Sequence, residues 1–333
     1  MKLNWGVIGT GKIAREHVIP AMQMGEFSKI TAIASRNKQK ADKTAAELGI
    51  AQAYGSYEEL LSDPNIDAVY IPLPNHLHVE WSIKAMEAGK HVLCEKPFAL
   101  TTDAVKEAIK VRDKAEVKIS EAFMVRSNLQ WLKTRELVRN PDFGELKAVQ
   151  GFFSYYNDDP ENIRNHLEMG GGGIWDIGCY PINTSRFIFG EEPLRVAAAA
   201  EYDPVFKVDR LASVLLEYPS GKAQFISGTR ISPFQRMLFV GTKKHLEVEI
   251  PFNAPSDTPA RLLMGTDFTR TEEREIIELP VCNQYTLQGD AFSKAVIQGT
   301  EVPVPLEDTL KNTAVLAAVH RAAESGKWEN VIS

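Results

Sequence analysis

The sequence predicts an α/β plus α+β chain: a doubly wound parallel sheet first, then a domain built on an open-faced, mostly antiparallel sheet. Three observations carry that expectation. The first third repeats a short apolar run followed by a helix-spaced pattern, as βα units do when helices cover both faces of a parallel sheet. Beyond Phe123 the pattern changes to long alternating segments in series. The 333 residues, at roughly 100–200 per domain, amount to two domains.

In order, Leu3–Ile8 reads as a buried strand and Lys12–Met24 as a helix with Ile13, Val18, Ala21 and Met22 at helical spacing. Ile30–Ala34 is a second strand, and a helix over Lys38–Leu48 closes at Gly49. Ala68–Ile71 is a third strand, and a helix over His78–Ala88 ends at Gly89. His91–Cys94 is a fourth strand, and a helix starting near Thr101 leads to a fifth, Lys118–Ala122. The second half opens with a helix over Asn128–Arg139 and a strand over Leu146–Tyr156. The glycine run Gly170–Gly173 precedes a helical stretch to Gly190. Strand-like segments follow at Val196–Tyr202, Leu211–Tyr218, Ala223–Thr229, Met237–Val240 and His245–Ile250. Two helices, Leu287–Ile297 and Leu306–Ser325, complete the pattern. The expected division is residues 1–123 and residues 124–333.

Composition narrows the function. With 44% hydrophobic and 25% charged residues the chain is globular, and no apolar run approaches the roughly 18–20 residues of a membrane span. A net charge of −6 shows no basic bias toward nucleic acid or anionic membrane. Cys94, Cys179 and Cys282 lack any CxxC or Cys/His spacing, which argues against a disulfide framework and a zinc site. A reducing cytoplasm and no metal are therefore expected.

Gly9-Thr10-Gly11-Lys12-Ile13-Ala14 is a GxGxxA turn between the first strand and the first helix. Its glycines permit a tight turn and let backbone N–H groups reach a pyrophosphate at the positive end of the helix, as in Rossmann domains. An NAD site usually places a carboxylate at the end of the second strand; this chain has Ser35-Arg36, followed by Lys38 and Lys40. A hydroxyl and cations suit a 2′-phosphate, so NADP is the expected cofactor.

Cys94-Glu95-Lys96-Pro97 ends the fourth strand, on the edge where doubly wound sheets bind ligands. With the glycine turn, Pro72-Leu73-Pro74-Asn75-His76-Leu77-His78 and Gly171-Gly172-Gly173-Ile174-Trp175-Asp176-Ile177-Gly178-Cys179-Tyr180, the chain resembles the Gfo/Idh/MocA oxidoreductase family along essentially its whole length. The resemblance implies that Lys96 sits beside nicotinamide and substrate, and that Asp176 and Tyr180 form the other catalytic positions. Tyrosine rather than histidine at 180, with Glu121–Met124 and Asp159–Arg164, is similar to the glucose–fructose oxidoreductase and NADP-dependent xylose dehydrogenase branch. Ser127-Asn128 departs from the histidine-containing run of that branch's sugar dehydrogenases.

The chemistry is arguable from the residues. Removing hydride from a carbinol needs a base for the hydroxyl proton. A lysine cation about 4 Å from a phenol, at an effective dielectric of about 20, favours phenolate by roughly 4 kcal/mol. That brings a phenol of pKa about 10 near 7. Tyr180 is then the acid/base, Lys96 the tuning cation, and Asp176 binds a substrate hydroxyl or steers Lys96; the alternative makes Lys96 itself the base.

The resemblance also implies that Leu73, Asn75 and His78 line the cofactor's riboses, the last two serving otherwise as turn and cap residues. It implies that Glu95, Arg164 and Trp175 lie near the cofactor, where Arg164 and Trp175 are otherwise interdomain contacts. Phe153 and Tyr155 share one strand face and are core or substrate platform. The resemblance further implies that Tyr285 faces the pocket. The expected enzyme oxidises an aldose to a lactone with NADP, as a homodimer or homotetramer assembled through the C-terminal sheet. The alternatives are a sugar–sugar oxidoreductase with non-dissociating NADP, a dihydrodiol or dicarbonyl oxidoreductase, and a non-catalytic NADP sensor.

Overall fold

Short apolar runs become parallel strands wherever a helix returns the chain to the same edge. The computed structural model describes residues 1–266 and 274–332, and divides them into two units. In the first, β1 (Leu3–Ile8), β2 (Ser28–Ala34), β3 (Gln52–Tyr54), β4 (Ala68–Ile71), β5 (His91–Cys94) and β6 (Ile119–Glu121) form one parallel sheet. Their order is β3-β2-β1-β4-β5-β6, so the direction of winding reverses beside β1. Ligands bind at such a switch point. Strand β3 was not anticipated: it is an edge strand of half-exposed and exposed residues, without an apolar run.

The helices of this unit are α1 (Ile19–Gln23), α2 (Lys38–Leu48), α3 (Tyr57–Leu61), α4 (His78–Glu87) and α5 (Thr102–Ala115). The Asn37 side chain caps α2 by accepting the Lys40 N–H at 3.1 Å, and Gly49 ends it with φ 65°. The expected single helix over residues 12–24 is a π turn, Ala14–Val18, followed by the short α1.

The first unit does not end where the sequence pattern changes. It runs from Met1 to Ser127 and takes back Asn283–Leu310, against the expected division at residue 123. The reason is packing: α8 (Gln284–Gln298) brings Phe292 against Trp5, ring centroids 5.3 Å apart. The Trp5 Nε1–H also donates to Ser293 Oγ at 3.0 Å. Helical periodicity shows that a helix is amphipathic, not which sheet it covers.

The second unit contains α6 (Leu129–Val138), α7 (Cys179–Phe189) and a sheet of nine strands; α9 (Leu306–Ser325) begins in the first unit and belongs to the second from Lys311 on. The strands are β7 (Leu146–Tyr156), β8 (Arg195–Tyr202), β9 (Asp209–Glu217), β10 (Lys222–Gly228), β11 (Arg230–Gly241), β12 (His245–Val248), β13 (Arg261–Gly265), β14 (Glu275–Glu278) and β15 (Glu329–Asn330). Their order is β14-β13-β12-β11-β7-β10-β9-β8-β15; β7 and β10 pair in parallel and the other pairs are antiparallel. Strand β11 begins at Arg230, earlier than the expected Met237: its first half is exposed or half-exposed and has no continuous apolar run to mark it.

Strand β7 alternates as its sequence predicts. Val149, Gly151 and Phe153 are buried, and a Cβ on Gly151 would lie 3.2 Å from Pro181 of α7. Side chains on the other face, among them Gln150, Phe152, Leu215, Ile226, Phe234 and Leu238, line a concavity of about 680 Å³. No described helix is long and apolar enough to cross a membrane.

Candidate active site

The turn after β1 is built for close backbone approach. Gly9 has φ 114°, a conformation that side-chain-bearing residues rarely adopt, and its amide donates to Ala34 O at 2.9 Å. A Cβ on Gly9 would lie 3.0 Å from Leu73 Cδ2, and one on Gly11 would lie 3.1 Å from Pro72 O. The two glycines thus pass under the Pro72-Leu73 segment without side chains of their own. Thr10 and Ala14 are buried, Ile13 is half-buried, and Lys12 is exposed beside Glu16. The cradle has the shape for a dinucleotide pyrophosphate at the start of the following helix.

At the end of β2, Ser35 is buried and its Oγ accepts the Asn37 N–H at 3.3 Å. Arg36 and Lys40 are exposed, and Arg36 bonds the Tyr57 hydroxyl. No carboxylate occupies this strand end; the first acid of α2, Asp42, pairs with Lys38.

The Glu95-Lys96-Pro97 turn is braced from three sides. Tyr70, fully buried on β4, donates to Glu95 Oε1 at 2.6 Å. The Phe98 amide donates to the buried Glu121 carboxylate at 2.8 Å. His78, with no exposed surface, lies between the two loops, Nδ1 2.8 Å from Pro97 O and Nε2 2.7 Å from Leu73 O. Burial outweighs both carbonyls and pushes its pKa down to about 4, so the neutral ring donates through one nitrogen. Enclosed in this way, His78 ties loop to loop rather than presenting a nitrogen to a ligand. Lys96 and Asn75 are half-buried, and the peptide before Pro97 is cis. Tyr285 packs beside His17, centroids 6.1 Å apart, within the same unit. Burial, with Glu95 nearby, pushes the Tyr285 phenol up.

In the second unit the helix carrying Asp176 starts as a π turn, Ile174–Gly178, before α7 continues it. Single π turns recur at functional sites. Asp176 therefore lies in the π turn and Tyr180 in the first turn of α7. The Tyr155 hydroxyl donates to Asp176 Oδ2 at 2.7 Å, and Arg164 Nε lies 2.8 Å from the same oxygen. Burial and the Asp176 charge push the Tyr155 phenol far up, and Asp176 holds the Arg164 guanidinium further up still. Tyr180 is 7% exposed, its ring packed against Phe153 at 5.7 Å and Phe252 at 5.3 Å. Phe153 is thus core. Trp175 stacks on His320, centroids 4.8 Å apart. Asn183, one turn beyond Tyr180, is fully buried, and neither side-chain amide atom has a hydrogen-bond partner among the described residues.

Comparison with known proteins settles the family. Residues 3–123 match the model of an oxidoreductase family with an NAD-binding Rossmann fold, and residues 131–247 match the GFO/IDH/MocA C-terminal domain. The chain belongs to the Gfo/Idh/MocA oxidoreductase family. An uncharacterized oxidoreductase of Rhizobium meliloti is 42% identical, the match covering 99% of both chains. A D-xylose 1-dehydrogenase (NADP(+)) of Haloferax volcanii is 35% identical over 97% of this chain and 98% of its own. Among solved structures, an aldose-aldose oxidoreductase from Caulobacter crescentus, complexed with glycerol, superposes with TM-score 0.89 at 26% identity, covering 99% of this chain and 100% of its own.

This Gfo/Idh/MocA oxidoreductase is accordingly an NAD(P)-dependent enzyme acting on CH–OH groups. Sequence reasoning passed over Tyr70, Phe252 and the clamping of Asp176 by Tyr155 and Arg164. The only sequence signal for that clamp is a polar residue on an inward strand position, since Tyr155 follows Phe153 at a spacing of two.

Proposed function

We propose that the enzyme oxidises the anomeric hydroxyl of an aldose to a lactone with NADP. The observation that carries this reading is the end-to-end similarity to an NADP-dependent xylose dehydrogenase. Ser35-Arg36 at the end of β2, with no carboxylate there, supports the 2′-phosphate. When bound, NADP supplies the hydride acceptor. Gly9, Thr10, Gly11, Lys12 and Ile13 cradle its pyrophosphate; Ser35, Arg36 and Lys40 face the 2′-phosphate; Leu73, Asn75 and Glu95 line the loops beyond. Tyr180 takes the hydroxyl proton as the carbon–oxygen bond becomes double, and Lys96 orients the substrate oxygen. Asp176, oriented by Tyr155 and Arg164, accepts a hydrogen bond from a neighbouring sugar hydroxyl.

Two copies pair through the open sheet face, where Leu215 and Phe234 stand 45% and 49% exposed. Phe234→Arg converts that dimer to monomer in light scattering; an unchanged mass removes the interface. A reducing cytoplasm suits Cys94, Cys179 and Cys282, which are kept as thiols.

The deciding experiment follows nicotinamide absorbance on adding aldoses, without and then with NADP⁺. Continuous signal that requires added NADP⁺ establishes the dehydrogenase. A stoichiometric signal from sugar alone establishes the second reading, favoured by the aldose-aldose structural relative: a sugar–sugar enzyme that retains its cofactor. No signal with any aldose removes both.

A further inference from the structure

We propose that Asp209 is a positioning residue for this reaction, clamping the glycine turn that sets Asp176 and Tyr180 in place. The inference rests on the reading of Asp176 and Tyr180 above, but Asp209 itself lies 35 residues from the turn it holds, at the first position of β9.

Both of its carboxylate oxygens lie against the turn. Oδ2 accepts the Ile174 N–H at 2.7 Å, and a Cβ on Gly173 would lie 3.1 Å from the same oxygen. A Cβ on Gly172 would lie 2.2 Å from Oδ1, and Gly172 has φ 112°, so that position tolerates only glycine on both counts. The glycine run is therefore the space in which a buried carboxylate sits.

The same turn is fastened on its other side to the loop bearing Arg164. Gly172 N–H donates to Arg164 O at 3.0 Å, Gly171 N–H to His166 O at 3.0 Å, and a Cβ on Gly171 would lie 2.5 Å from Arg164 O. The Asp176 amide in turn donates to Gly172 O at 3.0 Å. A displacement of Gly172 is thus passed to Asp176 through one hydrogen bond, and to the Arg164 side chain that holds the Asp176 carboxylate through another. Asp209 closes this circuit from the sheet.

Burial raises the Asp209 carboxyl to about 6, against the pull of the Ile174 and Gly173 N–H groups; Asp176 adds to the rise. The other titratable groups that feel its charge are Tyr155 and Tyr202. A carboxyl whose pKa is higher when buried in the turn than in solvent favours the held state when protonated, so the clamp tightens as pH falls through this range.

The test compares wild type with Asp209→Asn, whose amide keeps the volume but places an N–H₂ among donors. The expected result is a kcat lowered on the order of tenfold to a hundredfold with NADP affinity unchanged. Faster amide exchange at Ile174 and Asp176 accompanies it. In wild type, exchange at Ile174, corrected for its intrinsic rate, slows as pH falls from 7 to 5, and this arm decides the matter if the variant does not fold. Unchanged exchange, or a lower melting temperature with unaltered kcat in the folded fraction, overturns the proposal. If wild type oxidises no aldose, the substrate reading fails while the exchange measurements still judge Asp209.

Discussion

Tyr155 and Asp176 are joined by a 2.7 Å hydrogen bond that fixes one carboxylate oxygen, the same oxygen that faces Arg164 at 2.8 Å. A carboxylate oxygen held by two donors has one defined orientation. Charge-assisted bonds of this kind are the stronger ones.

Tyr155→Phe removes one of those donors. The expected stability loss is about 1.5–3 kcal/mol, the usual worth of a hydrogen bond to a charged group. Substrate KM rises while NADP affinity stays the same, because Tyr155 belongs to the second unit and the Gly9–Ala14 turn to the first. Steady-state kinetics with fluorescence titration of NADP checks this; a loss of NADP affinity alone contradicts it.

Lys96→Ala and Tyr180→Phe each lower kcat far more than NADP affinity. Removal of a positioned acid/base group typically costs on the order of 10²–10⁴ in rate. Near wild-type turnover in either variant would overturn the assignment.

Arg36→Ala weakens NADP binding and leaves NAD binding nearly unchanged, since only the former carries the phosphate that a guanidinium pairs with. Isothermal titration with both dinucleotides reads the ratio. Equal losses for the two sink the 2′-phosphate assignment.

Stability falls on acidification. Burial holds His78 and His320 at about 4, below the ordinary 6.5, so the unfolded chain binds more protons between these values and folding weakens as pH drops through them. Asp209, raised from 3.8 to about 6, works in the opposite sense over its own window. Two histidines outweigh one carboxyl, so the melting temperature at pH 5 lies below that at pH 7, and His320→Gln reduces the drop. A melting temperature that rises from pH 7 to 5 contradicts this.

Asn183→Leu raises the melting temperature. A buried amide without a partner costs about 1–3 kcal/mol in lost hydration, and an apolar side chain of similar volume restores much of it. Calorimetry of the variant decides it, and a lower melting temperature shows that the amide is bonded in solution.

Much of the fold was legible because the signals are local. Ala68–Ile71 and His91–Cys94 are strands with the expected bounds, since a continuous apolar run marks a strand buried on both faces. Helix α2 has its expected bounds because Asn37 and Gly49 are caps that act within a turn. Strands β3 and β14 are largely polar or exposed edges and carry no such signal. Helix α8 was expected, but its place against Trp5 was not, because that partner lies 288 residues away at Ser293.

The sequence by itself determined the architecture and the glycine turn after β1, together with the Ser35-Arg36 end of β2 and the motifs by which the family is recognised. Each is a matter of residue type at a fixed short spacing. Only the tertiary structure decided that both nitrogens of His78 go to loop carbonyls, that Asp176 is clamped by Tyr155 and Arg164, and that Asp209 fills the space left by the second glycine run. A buried polar group must find its hydrogen bonds wherever the fold delivers them, and that partner has no fixed distance along the chain.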